Sequence, residues 1–420
     1  MFQFQKILVA LILLLATLWP ARKVEILDNK NGYQLLVDGT PFYIKGAGTE
    51  SHYEFFAQAG GNSIRTWGID QWKVAFAMAE KYNFMVCAGI WMEQERQGFD
   101  YSDSNAVGKQ FRSFQQAILQ YKDHPNLLLW GIGNEMDLNY TNPAVWDAVE
   151  EVAKFIKATD GNHPTMTATA FIEKEEVQFL KEKCPSIDIL AINAYAGLPV
   201  LDQFLKDFGW NKPYLLGEWG TFGHWEVPQT NWNEPIEFTS REKAELYQKE
   251  YQEHILPHQD CLGGYVFFWG TKQERTPTWY GMFLDNFGRT QAVDVMHKLW
   301  TGKCPENRSP VLDSLLLQNQ KAQNNITLAP GRRVTATVWA RDPEEQLLSI
   351  SWEILHETTD KRTGGDEENK PPAATCDILD QTDNSITFIT PKKEGAYRIF
   401  VYVYDNYGNG AHANIPFFIQ

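Results

Sequence analysis

The sequence predicts an α/β chain in two parts: a (β/α)8 TIM barrel followed by a small all-β, immunoglobulin-like sandwich. Three observations carry this. Between residues 42 and 300, eight short β-rich runs alternate with stretches of helical period, the order of a parallel sheet wrapped by helices. The repeats fill about 260 residues, the size of one closed eight-fold barrel. After Trp300 the pattern changes to two-residue alternation broken by Gly, Pro, Asn and Asp, which marks a sandwich of about 110 residues.

Taken in order, the chain opens with MFQFQK and a 13-residue apolar run, ILVALILLLATLW. A weakly basic start before a run too short to span a bilayer is the pattern of a signal peptide. Residues 1–22 are therefore expected to direct export, to the periplasm, the exterior or an outward-facing membrane position. Trp19, Pro20, Ala21 and Arg22 interrupt any small-residue cleavage site, so retention as an N-terminal membrane anchor stays open. VEILDNKNGYQLLVDGTPF then reads as a β-hairpin, with Asn31-Gly32 and Asp38-Gly39 as turn signals, placed to cover the barrel floor.

The eight barrel runs are FYIKGAG, SIRTW, FMVCAGI, LLLWGIGNE, TMTATA, IDILAINAY, PYLLGEWG and GGYVFFWG. QWKVAFAMAEKY, NPAVWDAVEEVAKFIKA and SREKAELYQKEYQEHI are helix candidates between them. Hairpin and barrel are assigned to residues 23–302, a turn-rich linker to 303–310 and the sandwich to 311–420. Within the sandwich, TTDKRTGGDEENKPPAAT at residues 358–375 is polar and rich in Pro and Gly, and is expected to be an exposed loop.

Composition narrows the function. A net charge of −15 without clustered Lys and Arg excludes a nucleic-acid partner. The five cysteines lack CxxC or His spacing, so neither a metal site nor another cofactor is implied. Cys87 and Cys261 read as core residues, and a Cys184–Cys304 bridge stays open. Asp342 and Asp405 in the sandwich are too few for a calcium site and read as turn residues.

Active sites of such barrels lie at the C-terminal ends of the strands. Those ends carry Arg65 and Trp67 on the second run, Asn134 and Glu135 on the fourth, Asn193 and Tyr195 on the sixth, Glu218 and Trp219 on the seventh and Trp269 on the eighth. A Glu after a strand is on its own more often a helix-capping or surface residue than a catalyst. Two carboxyl groups at one mouth are another matter, because glycosidic cleavage needs one as acid and one as nucleophile or base. Trp rings supply faces for sugar C–H groups, and Arg and Tyr can donate to a carboxylate.

KDHPNLLLWGIGNE at residues 122–135 resembles the acid/base strand of family 2 glycoside hydrolases, and residues 36–300 resemble clan A of those enzymes. The resemblance implies that Glu135 is the general acid/base and Glu218, in LLGEWG, the nucleophile. It further implies that Arg65 and Tyr195 steady Glu218, that Asn134 binds the sugar 2-hydroxyl, and that Trp269 lies under the bound sugar; Trp67 and Trp219, at the same strand ends, are expected to contact substrate with their ring faces. Family 2 members carry their β-domains ahead of the barrel, whereas here the β-domain comes last and resembles polycystic-kidney-disease-like and cadherin-like modules.

The segment GIWMEQERQGFDY offers Trp91, Glu93, Glu95 and Arg96 as further contacts, and the loops FGHWEVP and TKQERTPTWYGMF read equally well as subsite walls or as self-packing covers. His124, His224 and Asp137 read as structural. The expected activity is retaining β-glycoside hydrolysis of a polysaccharide or oligosaccharide, with neutral β-glucan the first candidate. A transglycosylase and a non-catalytic glycan-binding protein remain as alternatives.

Overall fold

A computed structural model describes residues 21–29, 32–285 and 288–420. The proposed signal or anchor segment lies outside the described residues apart from its last two, as does Asn31 of the first turn. No helix among the described residues is long and apolar enough to cross a membrane.

The chain begins with β1 (Val24–Asn29) and β2 (Gly32–Val37), an antiparallel hairpin to which the short β3 (Thr40–Pro41) adds. Eight strands follow: β4 (Ile44–Gly48), β5 (Ser63–Arg65), β6 (Met85–Ile90), β7 (Leu127–Asn134), β8 (Thr165–Thr169), β9 (Ile189–Asn193), β10 (Tyr214–Gly220) and β11 (Cys261–Phe267). They pair in parallel and in sequence order, and β11 returns to β4 to close the barrel. Both faces of each strand are covered, so β6, β7 and β11 are apolar almost throughout instead of alternating; every residue of β7 is buried.

The helices α1 (Tyr53–Gln58), α2 (Trp72–Tyr82), α3 (Ser104–Tyr121), α4 (Ala144–Thr159), α5 (Lys174–Lys183), α6 (Leu198–Asp207), α7 (Ser240–Glu250) and α8 (Gln291–Thr301) wrap the sheet. On α2 the buried residues are Trp72, Ala75, Phe76 and Ala79, a stripe of helical period facing the strands. Asp103 caps α3 by accepting from Asn105 and Ala106, and Thr239 forms a capping box with Glu242 ahead of α7, satisfying backbone donors that no carbonyl reaches.

Inside the barrel, Met85, Leu128, Met166, Ile189 and Leu215 pack together with Val24, Leu35 and Val37 of the hairpin. The hairpin therefore covers the floor, as its sequence suggested. Cys87 and Cys261 are buried, as expected; Cys184 and Cys304 are both free, the first buried and the second exposed, so the open pairing is not made. Cys184 instead directs its Sγ to the Trp146 carbonyl at 3.3 Å.

The second part comprises β12 (Val311–Leu317), β13 (Thr327–Leu328), β14 (Arg333–Arg341), β15 (Ser349–His356), β16 (Ile378–Gln381), β17 (Ser385–Ile389), β18 (Gly395–Tyr404) and β19 (Gly410–Ile419). They form two four-stranded sheets, β12-β14-β17-β16 and β13-β19-β18-β15, packed as a β-sandwich. Ile399, Val401 and Val403 face Val334, Val338 and Phe388 across its core, the two-residue period of strands with one face inward. Asp342 accepts from the amides of Glu344 and Gln346, and Asp405 from those of Tyr407 and Asn409, the turn roles expected of them.

The sandwich does not hang free. Ile236, from the loop after β10, enters its core. The loop at residues 358–375, expected to be exposed, is docked on the barrel instead: Arg96, Lys272 and Arg275 all bond to it. A polar, glycine-containing segment reads as solvent-facing because its composition offers no apolar anchor, but here charged groups of the barrel rim satisfy it.

Candidate active site

At the C-terminal rim of the barrel a cleft of about 800 Å³ is lined by Asn134, Glu135, Tyr195 and Glu218, with Trp67 beside them. Its chemistry begins with Arg65, which ends β5 and is almost fully buried. Its Nη1 donates to Glu218 Oε1 at 3.1 Å and to the Gly217 carbonyl at 2.7 Å, and its Nη2 to Asn134 Oδ1 at 2.6 Å. One guanidinium fork thus fixes the ends of β7 and β10 relative to each other. Gly217 is needed for this approach: a Cβ there would meet Asn193 Oδ1 at 2.6 Å and Arg65 Nη1 at 3.2 Å.

Glu218 is only 6% exposed. Besides Arg65 it receives the Trp67 indole N–H at 3.0 Å on Oε1 and the Tyr195 hydroxyl at 3.0 Å on Oε2. All three partners are donors, a set that a carboxylate, which only accepts, can satisfy in full. Burial beside Glu218 pushes the Tyr195 hydroxyl far above its ordinary range, so it keeps the proton it donates.

Glu135 sits differently. In a strand, neighbouring side chains point to opposite faces, yet Asn134 and Glu135 both reach the cleft. The chain achieves this by leaving β7 in a left-handed conformation, φ 51° at Glu135, after Gly133 at φ 73° and a register shift against β8. Glu135 Oε1 accepts one bond, from Asn193 Nδ2 at 2.8 Å. Burial and the nearby charge of Glu218 push its carboxyl up to about 7. Asn134 has its oxygen taken by Arg65 and Asn193, which leaves its NH2 group to face the cleft.

Six predicted site residues, Arg65, Trp67, Asn134, Glu135, Tyr195 and Glu218, are brought together; two are not. Trp219 is buried against Tyr247 and Tyr251, because the strand alternation that turns Glu218 inward turns its neighbour outward to α7. Trp269 is likewise buried, stacked on Trp300 and packed against Phe56 and Phe283. Substrate contact is therefore corrected for both. Phe267 and Phe268 line the cleft in their place, and nothing in GGYVFFWG distinguishes which of its four aromatics would do so.

Asn193, noted at its strand end but not singled out, proves central, since it links Glu135, Asn134 and Arg65. Buried Gln94 holds the Asn134 carbonyl at 2.6 Å. Of the looser candidates, Trp91 and Trp225 line the cleft, whereas Glu95 binds Thr141 and Asn142, and Arg96 binds Thr363 and Asp366. Glu93 is exposed and uses its amide to bond Gln110. In the loops after β10 and β11, Trp225, Lys272, Glu274 and Tyr280 line the cleft while Trp279 packs inward on the Phe222 carbonyl. His224 stands 3.9 Å from Glu274 and is lowered to about 4 by burial. His124 Nδ1 accepts from the Asn126 amide and so orders the turn into β7. Asp137 accepts from the Ala170 amide after β8, rather than capping the next helix.

No family model matches the chain, and no curated protein matches it by sequence. Solved structures do. A β-D-glucuronidase of Dictyoglomus thermophilum is 17% identical with a TM-score of 0.52, over 68% of this chain and 54% of that one. A GH2 β-galacturonidase of Eisenbergiella tayi, solved with galacturonate, is 18% identical at a TM-score of 0.52, over 67% and 55%. An FMN-binding β-glucuronidase of Facaelibacterium prausnitzii L2-6 matches across 95% of this chain and 59% of its own at 14% identity and a TM-score of 0.51. The chain thus spans little more than half the length of the structures it resembles, and at these identities the likeness is one of fold.

Proposed function

We propose that the protein is a retaining β-glycoside hydrolase in which Glu218 is the nucleophile and Glu135 the general acid/base. The observation that carries this is the contrast between the two carboxyl groups. Glu218 is enclosed by three donors, whereas Glu135 accepts a single bond and is pushed up to about 7. Two carboxyl groups held in unlike environments at one site provide an acceptor-only nucleophile and a proton-carrying acid at neutral pH.

In the first step a Glu218 oxygen bonds to the anomeric carbon as the glycosidic C–O bond breaks, and the Glu135 proton passes to the departing oxygen. In the second, Glu135, now a carboxylate, takes a proton from water whose oxygen attacks that carbon and releases Glu218. Arg65, Trp67 and Tyr195 hold the nucleophile in line, and the Asn134 NH2 offers a donor to a sugar hydroxyl.

The substrate proposed is a polysaccharide or oligosaccharide of neutral sugars, β-glucan first. Glu50, Glu274, Asp366 and Glu367 also line the cleft, while its one cation among the described lining residues, Lys272, is engaged by the Gly365 carbonyl and Glu274. A uronate, the sugar type in the names of the structural neighbours, would meet charge of its own sign. Trp67, Trp91 and Trp225 give apolar faces for sugar rings. Transfer to a second sugar, a transglycosylase activity, is the second reading, favoured by a volume within the roughly 300–1,000 Å³ range of ligand pockets and ample for an acceptor. Export rests on the N-terminal apolar run alone.

The test pairs two variants. Glu135→Ala is expected to keep turning over aryl glycosides with good leaving groups and to be accelerated by azide, giving a β-glycosyl azide. Glu218→Ala is expected to lose about a thousandfold or more in kcat/KM on every substrate. Native-like activity in Glu218→Ala, or a first-formed product of inverted configuration by proton NMR, sinks the assignment.

A further inference from the structure

The sandwich loop that was expected to face solvent contributes Thr363, Gly364, Gly365, Asp366 and Glu367 to the lining of the cleft. It is fastened at two rims. On one side Arg96, after β6, donates to both Asp366 carboxylate oxygens at 2.8 and 3.1 Å and to the Thr363 carbonyl at 2.9 Å, and Gln97 adds a bond to Asp366 at 2.9 Å. On the other, after β11, Lys272 holds the Gly365 carbonyl at 2.7 Å and the Arg275 amide donates to Glu368 at 2.7 Å. In the closed ring β11 lies three strands from β6 and four from β7, so these anchor points face each other across the mouth.

The fit is close. Gly364 lies at φ 66°, and a Cβ there would meet Arg96 Nη2 at 2.8 Å and Leu138 at 3.0 Å. The base of the loop is knotted as well: Glu368 accepts from the Arg362 amide at 3.0 Å, and Asp360 from the Asn369 amide at 3.1 Å. Glu368 is 4% exposed, so these are built contacts and not a surface association.

We propose that residues 361–368 act as a specificity-determining strap across the active-site cleft, admitting short oligosaccharides and chain ends while excluding the interior of a polysaccharide. An interior bond can be cleaved only if the chain extends past the catalytic pair in both directions. A segment tied to opposite rims and lining the same cleft obstructs that path. The inference rests on the glycosidase reading and adds the form of substrate taken.

The test uses the full chain with 4-nitrophenyl β-D-glucoside, galactoside, mannoside and xyloside, and, for the sugar it cleaves, the oligosaccharides from di- to hexasaccharide and the polymer. The native protein is expected to release sugar from polymer ends without an early fall in viscosity. Arg96→Ala, which removes three bonds to the strap, and a variant with residues 362–367 replaced by a short Gly-Ser link are each expected to raise the ratio of polymer to aryl-glycoside kcat/KM about tenfold. A rapid viscosity loss with native protein, or a ratio unchanged in both variants, overturns the strap while leaving the glycosidase standing. Failure of the native protein to cleave any of these aryl glycosides or oligosaccharides overturns both.

Discussion

At Glu135 the side chain owes its place to one backbone torsion. The left-handed turn at the end of β7 brings two consecutive residues to the same side, so that Asn134 meets Arg65 while Glu135 meets Asn193 and the cleft. Its raised carboxyl also fixes the pH response. In the proposed reaction Glu135 is the acid and must be protonated, so the first step is expected to be lost as pH rises through about 7. An alkaline limb of kcat/KM with a midpoint near 7 is expected for substrates with poor leaving groups, and it should vanish in Glu135→Gln assayed on an activated aryl glycoside. A limb that persists unchanged in that variant assigns the titration elsewhere, Glu274, also pushed up to about 7 by burial, being the neighbouring candidate. Asn134 and Glu135 were legible because residue type and position at a strand end coincide. Asn193 was not singled out, because its role depends on a side-chain bond to a residue 58 positions away.

Among the elements, β10 shows where sequence reading stops. Its run LLGEWG places a Glu and a Trp at a strand end, and both types suit a sugar site. The period of two then divides them, Glu218 to the cleft and Trp219 to the α7 layer. All eight barrel strands were legible from their β-rich composition and spacing, since buried parallel strands favour β-branched and apolar residues; the direction of each terminal aromatic was not, since both faces of such a strand welcome one. Gly217 in the same strand supplies a sharper test. Gly217→Ala places a methyl group against Asn193 and Arg65 and is expected to lower kcat/KM about a hundredfold by displacing the guanidinium, with the far-ultraviolet circular dichroism of the native chain retained. Activity within about twofold of native would show that the barrel relaxes around the methyl group without disturbing Glu218.

For the whole molecule, the junction of the two parts is a buried polar network. Glu237 accepts from Lys243 at 2.6 Å, from Thr276 and Thr278 of the loop after β11, and from Asn414 of β19 at 2.6 Å. Asn414 in turn accepts from Arg398, which also reaches the Pro235 carbonyl and Glu357. Lys243 and its partners lower Glu237 to about 2. Its contribution to stability is therefore complete above the ordinary value of 4.5 and is lost as pH falls towards 2. Glu237→Ala leaves Lys243 buried without its countercharge, which is expected to cost about 3–5 kcal/mol, read as a fall in the denaturant midpoint at neutral pH. A midpoint unchanged from native would mean that the junction carries no stability. Four sandwich strands, β14, β15, β17 and β18, were readable from their alternation, but this junction and the docked loop were not, because both are made by charged and small residues whose composition alone signals solvent.

The hairpin beneath the barrel has a consequence for traffic. With Val24, Leu35 and Val37 packed into its floor, the barrel has its doorway at the rim. In the proposed reaction the departing alcohol and the incoming water must use that same doorway in succession, so the first product has to clear the threshold before the second step can begin. Passage through that mouth is then a step of turnover alongside bond cleavage.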